Sequence, residues 1–174
     1  MYQKAHVDRL NQTGIPSVTS TDEKWMENPD IHAIVMQDIS TGQLLGGIRV
    51  QQPSSTHLLP MEEAMIQSTP HLYSPVKKML QDSGVPYAEL SGQWVSDHVR
   101  SRGLNVFMIK EGMKLARNLG ISHLYAFVEK RSKIIGDRLK FDFLEEFGEN
   151  GSFIYPLPNI ESIILRLDIP RNFQ

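Results

Sequence analysis

The stretch AELSGQWVSDHVRSRGLN, residues 88–105, decides the fold expected for this chain. Its first half reads as a strand that includes Trp94. A polar loop with Arg100 and Arg102 follows, and a helical pattern begins just after Gly103. The physical reason for passing from a strand to a helix through two arginines and a glycine is the first question that the sequence raises.

Phosphate binding is one reason for such a loop. The first turn of a helix has backbone N–H groups without intrahelical acceptors, and it lies at the positive end of the helix dipole. Gly103 has no side chain to keep a ligand away from the backbone, while Arg100 and Arg102 supply forked donors that suit phosphate oxygens. The alternative is a solvated loop with two surface arginines and a turn glycine, because short Gly/Arg patterns are common.

Composition narrows the classes of protein. The 174 residues are 40% hydrophobic, which is enough for one domain with a sizeable core. A net charge of -2 gives no general attraction to nucleic acid or to anionic membranes, and the absence of cysteine excludes disulfides and thiolate metal sites. No apolar run reaches the ~20 residues of a membrane span, and the N-terminal residues contain no apolar signal core. We expect a cytoplasmic protein with no membrane span and no nucleic-acid partner.

The first half of the chain predicts a helix, a loop, a hairpin and two short helices. The hairpin turns at Ser40-Thr41-Gly42, and the second short helix has Ser74 as its cap and Pro75 as its first residue. The predicted ranges are a helix over 2–12, a loop over 13–30, strands over Ala33–Ile39 and Gln43–Val50, and helices over 61–68 and 75–82.

The second half alternates between strands and helices. The predicted ranges are a strand over Tyr87–Ser96, a helix from Leu104 that stops at Gly120, a strand over 122–128, a helix over Ser132–Lys140, and two final strands in GSFIYP and ESIILRLDI. This alternation predicts an α/β fold with a mixed sheet. The chain shows no repeat and no second domain, so we expect residues 1–174 to form a single domain.

The loop after the strand resembles a known motif. Arg100-Ser101-Arg102-Gly103-Leu104-Asn105 is similar to the acyl-CoA loop of the GNAT acyltransferases, Arg/Gln-x-x-Gly-x-Gly/Ala, except that Asn105 stands where that motif has Gly or Ala. The resemblance covers roughly residues 30–168, so that residues 1–30 form a poorly matched N-terminal segment. It implies a central mixed, mostly antiparallel sheet flanked by helices. It also implies that residues 100–105 bind the donor's pyrophosphate, that Val95 takes part in binding the donor, and that the pantetheine arm enters between two splayed strands.

A narrower resemblance involves the strand and the hairpin. YAELSGQWV (87–95) resembles the Glu-Leu-Ser-Arg-Phe-x-Val strand of the acyl-homoserine-lactone synthases and the long-chain N-acyl amino acid synthases, and TGQLLGGIRV (41–50) resembles their Thr-Gly-x-x-x-Gly-x-x-Arg-Leu hairpin. Glu89 and Arg49 match positions of that branch, whereas Gly92 stands where the branch has Arg. Trp25 is a loose match to the branch's N-terminal tryptophan.

The resemblance implies transfer of an acyl group from acyl-CoA, or from an acyl carrier protein, to an amine, with no permanently bound cofactor. Glu89 is the candidate general base, and its alternative role is a structural carboxylate paired with Arg49. Arg49 and Trp94 are candidate substrate-binding residues, although a core position also suits Trp94. Arg138 occupies the position of the family's tyrosine acid. A non-catalytic module that binds an acyl thioester or a protein partner is the other class of function.

Two further features leave alternatives open. The segment 53–86 has apolar residues that suit either an acyl-chain tunnel or core filling: Leu58, Leu59, Met61, Met65, Ile66, Leu72, Met79 and Leu80. His98 has the chemistry of a base, but it is more simply a solvent-exposed loop histidine. The remaining histidines have no metal-ligand spacing, so we expect no metal site.

Overall fold

The computed structural model describes residues 2–12, 23–97, 99 and 103–170. The helices are α1 (Tyr2–Gln12), α2 (Pro60–Ser68), α3 (Pro70–Asp82), α4 (Leu104–Asn118) and α5 (Lys133–Arg138), with short 3₁₀ helices at Glu23–Glu27 and Lys130–Ser132. The strands are β1 (Ile31–Gln37), β2 (Leu44–Gln51), β3 (Tyr87–Val95), β4 (His123–Glu129), β5 (Asp142–Phe143), β6 (Phe153–Ile154) and β7 (Glu161–Asp168).

The strands form one sheet of seven in the order β1-β2-β3-β4-β7-β5, with β6 also paired to β7. All strand pairs are antiparallel except β3 and β4, which are parallel and are joined through α4. A parallel pair needs such a crossover connection because its two strands run in the same direction. The predicted fold class, a mixed and mostly antiparallel sheet flanked by helices, is confirmed.

The parallel pair separates part-way along its length. The ladder between β3 and β4 joins Tyr87, Ala88 and Glu89 to residues 123–125, although β3 continues to Val95 and β4 to Glu129. Beyond Glu89 the two strands therefore leave a gap in the middle of the sheet.

A bulge in β3 lies beside that gap. Gly47 of β2 pairs with Trp94 and Arg49 pairs with Ser91, so β3 has one residue more than β2 over this interval. Gly92 in this interval has a φ of 60°, a left-handed conformation that glycine adopts readily and larger residues avoid. This conformation is a physical reason for glycine at the position where the resembled branch has arginine.

Alternation along the strands gives the sheet two buried faces. On one face, Ile48, Val50 and Leu90 of the strands form a core cluster with Met108 of α4. On the opposite face, Tyr125 and Ile164 of the strands form a cluster with Met61, Met65 and Leu80 of α2 and α3. Because the gap joins these two faces, a ligand that enters it from the α4 side reaches the α2 side.

Some predicted boundaries were wrong. Helix α3 begins at Pro70 rather than at Pro75, and Ser74 is inside the helix rather than at its cap. Pro70 serves as the first helical residue, and Pro75 is tolerated in the second turn although it removes one backbone hydrogen bond. The helix predicted over Ser132–Lys140 is a 3₁₀ turn followed by the short α5, because Lys140 has a φ of 66° and ends it.

Candidate active site

Two chambers meet at the gap between β3 and β4. One has a volume of about 260 Å³ and the other about 300 Å³. Both are lined by the same five residues of the diverging strands, Ser91, Gly92, Gln93, Phe127 and Glu129. The bulged part of β3 is therefore the shared wall through which the two faces of the sheet communicate.

The helix-side chamber is the smaller of the two. Ile109 of α4 and Ile135, Gly136 and Leu139 of the α5 segment line it together with the shared residues. Gly136 allows a close approach, because an added Cβ would lie 2.6 Å from a side-chain carbon of Leu165. The chamber is mostly apolar, which suits the amide-and-alkyl arm of a thioester donor better than it suits a charged group.

The Glu89 chamber lies on the other face of the sheet. It is lined by His6 and Leu10 of α1, Pro60 and Met61 of α2, Glu89 of β3, and Tyr155, Pro156 and Ile160 of the segment before β7. Three separate parts of the chain thus enclose one carboxylate in a largely apolar space.

Glu89 itself is 1% exposed, and one of its carboxylate oxygens accepts a hydrogen bond from the Met61 N–H at 2.9 Å. Burial raises the pKa of Glu89 to about 8, against the opposing effects of that hydrogen bond and of the Arg49 guanidinium. The nearby carboxylates of Glu62 and Glu63 raise the pKa further. Glu89 can therefore exchange a proton near neutral pH, which is the property that a general base requires.

The same contact gives Glu89 a structural role. Met61 is the second residue of α2, and its N–H is one of the helix donors that have no intrahelical acceptor. Glu62 accepts a hydrogen bond from the Leu59 N–H at 3.0 Å, so two carboxylates bind the start of α2. The geometry is compatible with both roles that the sequence allowed for Glu89.

Arg49 occupies the same face of the sheet as Glu89. It pairs in register with Ser91, two residues from Glu89, and it is 1% exposed. Such diagonal neighbours lie roughly 7–8 Å apart, within reach of a long side chain. The guanidinium carbon lies 4.5 Å from the centroid of the Trp25 ring, which is a cation–π contact. The N-terminal segment therefore contributes to the surroundings of Arg49.

A third cavity, the Arg49 chamber, has a volume of about 360 Å³. Its lining includes Trp25, Asn28, Arg49, Gln51 and His57. Asn28 is 4% exposed, and within the part of the chain that the structure describes its Nδ2 group has no hydrogen-bond partner. A buried N–H donor without an acceptor costs about 1–3 kcal/mol, so a ligand oxygen at this position would be stabilising.

The predicted donor loop is described only in part. Arg100, Ser101 and Arg102 lie outside the described residues, as does His98. Gly103 precedes α4 with a φ of 71°, and its carbonyl accepts the first helical hydrogen bond, from Phe107. The first amides of α4, which include those of Leu104 and Asn105, have no acceptor within the helix.

The loop and the bulge are connected by one side chain. Gln93 Nε2 donates a hydrogen bond to the Asn105 carbonyl at 2.8 Å, and Gln93 also lines both chambers. The start of α4 is therefore held next to the shared wall of the chambers. Neither Val95 nor Trp94 lines these two chambers, and both are buried where β3 pairs with Gly46 and Gly47 of β2. This geometry favours the core position for Trp94.

The apolar segment 53–86 mainly fills the core. Leu59, Met65 and Leu80 are at most 1% exposed and belong to the cluster under α2 and α3, whereas Leu58 and Ile66 are each 41% exposed. Met61 is one of the eight apolar residues that the sequence singled out, and it lines the Glu89 chamber. Core filling, rather than a tunnel wall, describes most of this segment.

Sequence reasoning missed three titratable residues of the Glu89 chamber: His6, Glu129 and Tyr155. His6 and Tyr155 belong to segments without a matching motif, and Glu129 ends a strand that looked wholly structural. Arg138, at the position of the family's tyrosine acid, is exposed and lines neither chamber. A phenolic group does line the Glu89 chamber: it belongs to Tyr155, which follows Arg138 by seventeen positions in the sequence.

The described residues contain neither a candidate metal site nor a membrane-spanning helix. No group of three or more His, Cys, Asp or Glu side chains is arranged to bind a metal ion. No described helix combines the length and the apolar character that crossing a membrane requires.

Comparison with known proteins gives matches in structure. The chain superimposes with a TM-score of 0.68 and 16% identity on FeeM, an N-acyl amino acid synthase from uncultured soil microbes, over 96% of this chain and 82% of that one. An acyl-CoA N-acyltransferase from Pseudomonas aeruginosa gives 0.64 and 14%, over 95% and 86% of the two chains. BjaI, a CoA-dependent acyl-homoserine lactone synthase solved with SAM and isopentyl-CoA, gives 0.59 and 14%, over 98% and 74%.

The chain has the GNAT fold of the acyl-CoA N-acyltransferases. No family model and no curated protein sequence matches the chain. Because the structural neighbours are only 14–16% identical to it, they show the GNAT fold and do not show which reaction this chain catalyses. Both branches that the hairpin and strand motifs resembled are represented among these neighbours of the same GNAT fold.

Proposed function

We propose that this protein is an N-acyltransferase that moves an acyl group from a CoA thioester to an amine, with residues 1–174 as one acyltransferase domain in the cytoplasm. The observation that carries the proposal is the position of Glu89. It is a buried carboxylate with a pKa near neutrality, in a chamber that opens through the gap between β3 and β4. A thioester that enters from the helix side would reach this carboxylate through the gap.

The donor's position follows from charge and polarity. The amides at the start of α4, with the positive end of its dipole, suit the pyrophosphate of CoA, and Arg100 and Arg102 would add positive charge there. The apolar helix-side chamber suits the pantetheine arm, which would place the thioester beside Gly92 and Gln93. An acyl carrier protein presents the same arm, so the carrier form of the donor is the second candidate.

The reaction then needs one base and no covalent intermediate. Ionised Glu89 takes a proton from the ammonium group, and the nitrogen lone pair attacks the thioester carbonyl carbon. A C–N bond forms and the carbonyl oxygen becomes an oxyanion, which backbone N–H groups at the bulge would stabilise. The C–S bond breaks, a second proton passes from nitrogen to the leaving thiolate, and Glu89 returns its proton to solvent.

We further propose that the acceptor amine bears a carboxylate. The Arg49 chamber offers a buried guanidinium and the Nδ2 donor of Asn28, which has no partner among the described residues, and Arg49 lies on the same sheet face as Glu89. A carboxylate accepts a hydrogen bond from the Asn28 Nδ2 group and is attracted by the guanidinium charge, whereas an unsubstituted alkylamine would leave the Asn28 donor unsatisfied. The description of FeeM as an N-acyl amino acid synthase supports the same class of acceptor.

Release of the CoA thiol tests the proposal directly. The chain has no cysteine, so a thiol reagent such as Ellman's reagent reports free CoA without reacting with the enzyme. We would measure acyl-CoA donors of two to sixteen carbons against the common amino acids and against ethanolamine and benzylamine. We expect turnover with amino acids that exceeds turnover with the two plain amines.

The variant Asn28→Leu tests the acceptor class, since leucine keeps the volume and removes the amide. It should raise the KM for the amino acid acceptor and leave the KM for the donor unchanged. Equal turnover of benzylamine and amino acids would exclude the carboxylate requirement while leaving the N-acyltransferase intact.

A non-catalytic module is the remaining candidate, and the contact between Glu89 and Met61 favours it, because the carboxylate already has a structural partner. Thermal shift separates the two. A bound ligand raises the melting temperature by mass action whether or not it reacts. Stabilisation by acyl-CoA without thiol release for any acceptor of the panel would support the module and refute the enzyme.

A further inference from the structure

Helix α1 contributes a polar side chain to the Glu89 chamber. The helix contacts both β2 and β3, and His6 and Leu10, one turn apart, line the chamber from the same side. His6 is 3% exposed, so its imidazole ring is held inside the protein rather than at the surface. A buried polar ring is costly unless it serves a purpose in the fold or toward a ligand.

The His6 ring is neutral at physiological pH. Burial and the positive charge of Arg49 lower its pKa to about 4. The other titratable groups that line this chamber are Glu89, Glu129 and Tyr155, on β3, β4 and the segment before β7. A neutral imidazole has one nitrogen that donates a hydrogen bond and one that accepts.

His6 is poorly suited to be the base. With a pKa of about 4 it is roughly 10⁴-fold less able to keep a proton than Glu89, whose pKa is about 8. Proton removal from the ammonium group therefore falls to Glu89. A hydrogen-bonding role toward the amine remains for His6.

We propose that the acceptor nitrogen of the His6 imidazole binds one N–H of the attacking amine and so directs its lone pair toward the thioester. This inference rests on the proposed N-acyltransferase activity. The ammonium group has three N–H bonds: one proton goes to Glu89, and a second N–H donates to His6. The third stays on nitrogen until the tetrahedral intermediate collapses. After Glu89 has taken its proton, the nitrogen turns so that its two remaining N–H bonds donate to the carbonyl oxygen of Glu89 and to His6. The lone pair then points away from both, toward the gap where the thioester lies.

His6 is separated in sequence from the residues that resemble the acyltransferase motifs. It lies in the N-terminal segment that the acyltransferase motifs do not cover, and α1 brings it to Glu89 only in the folded protein. His6 would therefore set acceptor binding and orientation without affecting how the donor binds.

The test compares His6→Phe with His6→Asn and His6→Gln, using the best donor and amino acid from the thiol-release panel. His6→Phe keeps a flat ring without nitrogen, and kcat/KM for the acceptor should fall by about 10–100-fold, as expected for a lost orienting contact. The KM for the donor should stay unchanged. Asn or Gln, which restore an acceptor atom, should recover part of the loss.

Val7→Ala serves as the control for helix packing, because Val7 is half-buried on α1 and lines neither chamber. An equal loss in Val7→Ala and His6→Phe would overturn the proposal in favour of a packing effect. Wild-type acceptor kinetics in His6→Phe would overturn it as well, and the N-acyltransferase would stand. A wild-type protein inactive with the whole panel would instead remove the proposed function.

If His6→Phe does not fold, ¹⁵N-labelled histidine supplies a second measurement. The His6 ring signals, assigned by their loss in His6→Gln, should shift when the amino acid acceptor is added to the wild-type protein. The absence of a shift under conditions where the acceptor saturates would overturn the proposal.

Discussion

Replacing Glu89 by glutamine tests both roles of this carboxylate at once. Glutamine keeps the shape of the side chain, and its carbonyl oxygen can still accept the hydrogen bond from the Met61 N–H, now 2.9 Å from the carboxylate. It removes the basicity. Acyl transfer should therefore fall by roughly 10²–10⁴-fold, the usual effect of losing a general base, while donor binding changes little.

The pH dependence gives a sharper measure. With a pKa of about 8, Glu89 is ionised in about one molecule in eleven at pH 7 and in about ten in eleven at pH 9. The wild-type kcat/KM should therefore rise about tenfold between these values and level off above pH 9. The acceptor amine also ionises and changes the pH profile. Dividing the wild-type kcat/KM by that of Glu89→Gln at each pH removes this contribution, because it is the same for both proteins.

Stability should change in the opposite sense. The folded pKa of Glu89 lies above its ordinary 4.5, so the protonated group favours the folded state at low pH. This contribution is complete below pH 4.5 and is lost progressively as the pH rises to about 8, because ionisation of the buried carboxylate is costly. The interval corresponds to a change on the order of 4–5 kcal/mol in the free energy of unfolding.

Glu89→Gln lacks this titration and should be more stable than the wild type at pH 9 but similar to it at pH 5. Urea unfolding at the two pH values measures the difference. A variant that retains full turnover, together with a flat ratio of rates across pH, would refute the role of base. A wild type that gains stability between pH 5 and pH 9 relative to Glu89→Gln would refute the raised pKa.

Three other changes test the donor site, the bulge and the acyl chain. Gly103→Asp should weaken CoA binding at least tenfold in calorimetry, because an added carboxylate repels phosphate. The φ of 71° makes a side chain at this position cost about 1 kcal/mol in stability, and Gly103→Asn, of equal size, should show the same cost but bind CoA normally. Gly120→Asp, equally open at the other end of α4, should also bind CoA normally. Gly92→Ala should cost about 1–2 kcal/mol in unfolding free energy and also reduce turnover, whereas Gly42→Ala, with a similar positive φ in the β1–β2 turn, should affect stability alone. A long-chain donor should show an affinity that rises by about 0.8 kcal/mol for each methylene that is buried, whereas a maximum at acetyl-CoA would exclude such a donor.

Local patterns were sufficient for most of the secondary structure. The helices from residue 2 and from Leu104, the hairpin around Gly42 and the strand from Tyr87 all have periodicity or turn chemistry within a few residues. A predicted helix boundary was wrong where two residues offered the same start signal. At α3 both Pro70 and Pro75 suit a first helical turn, and nothing in the sequence decides between them.

The candidate site divides in the same way. Glu89 and Gly103 were identified because each belongs to a continuous stretch whose residues resemble a motif. His6 and Tyr155 were not identified. They reach the Glu89 chamber from α1 and from the segment before β7, which lie near opposite ends of the chain. Their position depends on which strands are neighbours, and a pattern within one segment has no information about that.

The sequence by itself determined the order of the elements and the strand–loop–helix unit around Gly103, because these depend on contacts between residues close along the chain. Only the tertiary structure decided where β3 and β4 separate. Their pairing ends at Glu89, which depends on how two strands far apart in the chain lie beside each other and on the bulge at Gly92. It also decided the character of Glu89. A glutamate on a strand is ordinarily an acid with a pKa near 4.5, and burial beneath α1 and α2 raises that pKa to about 8.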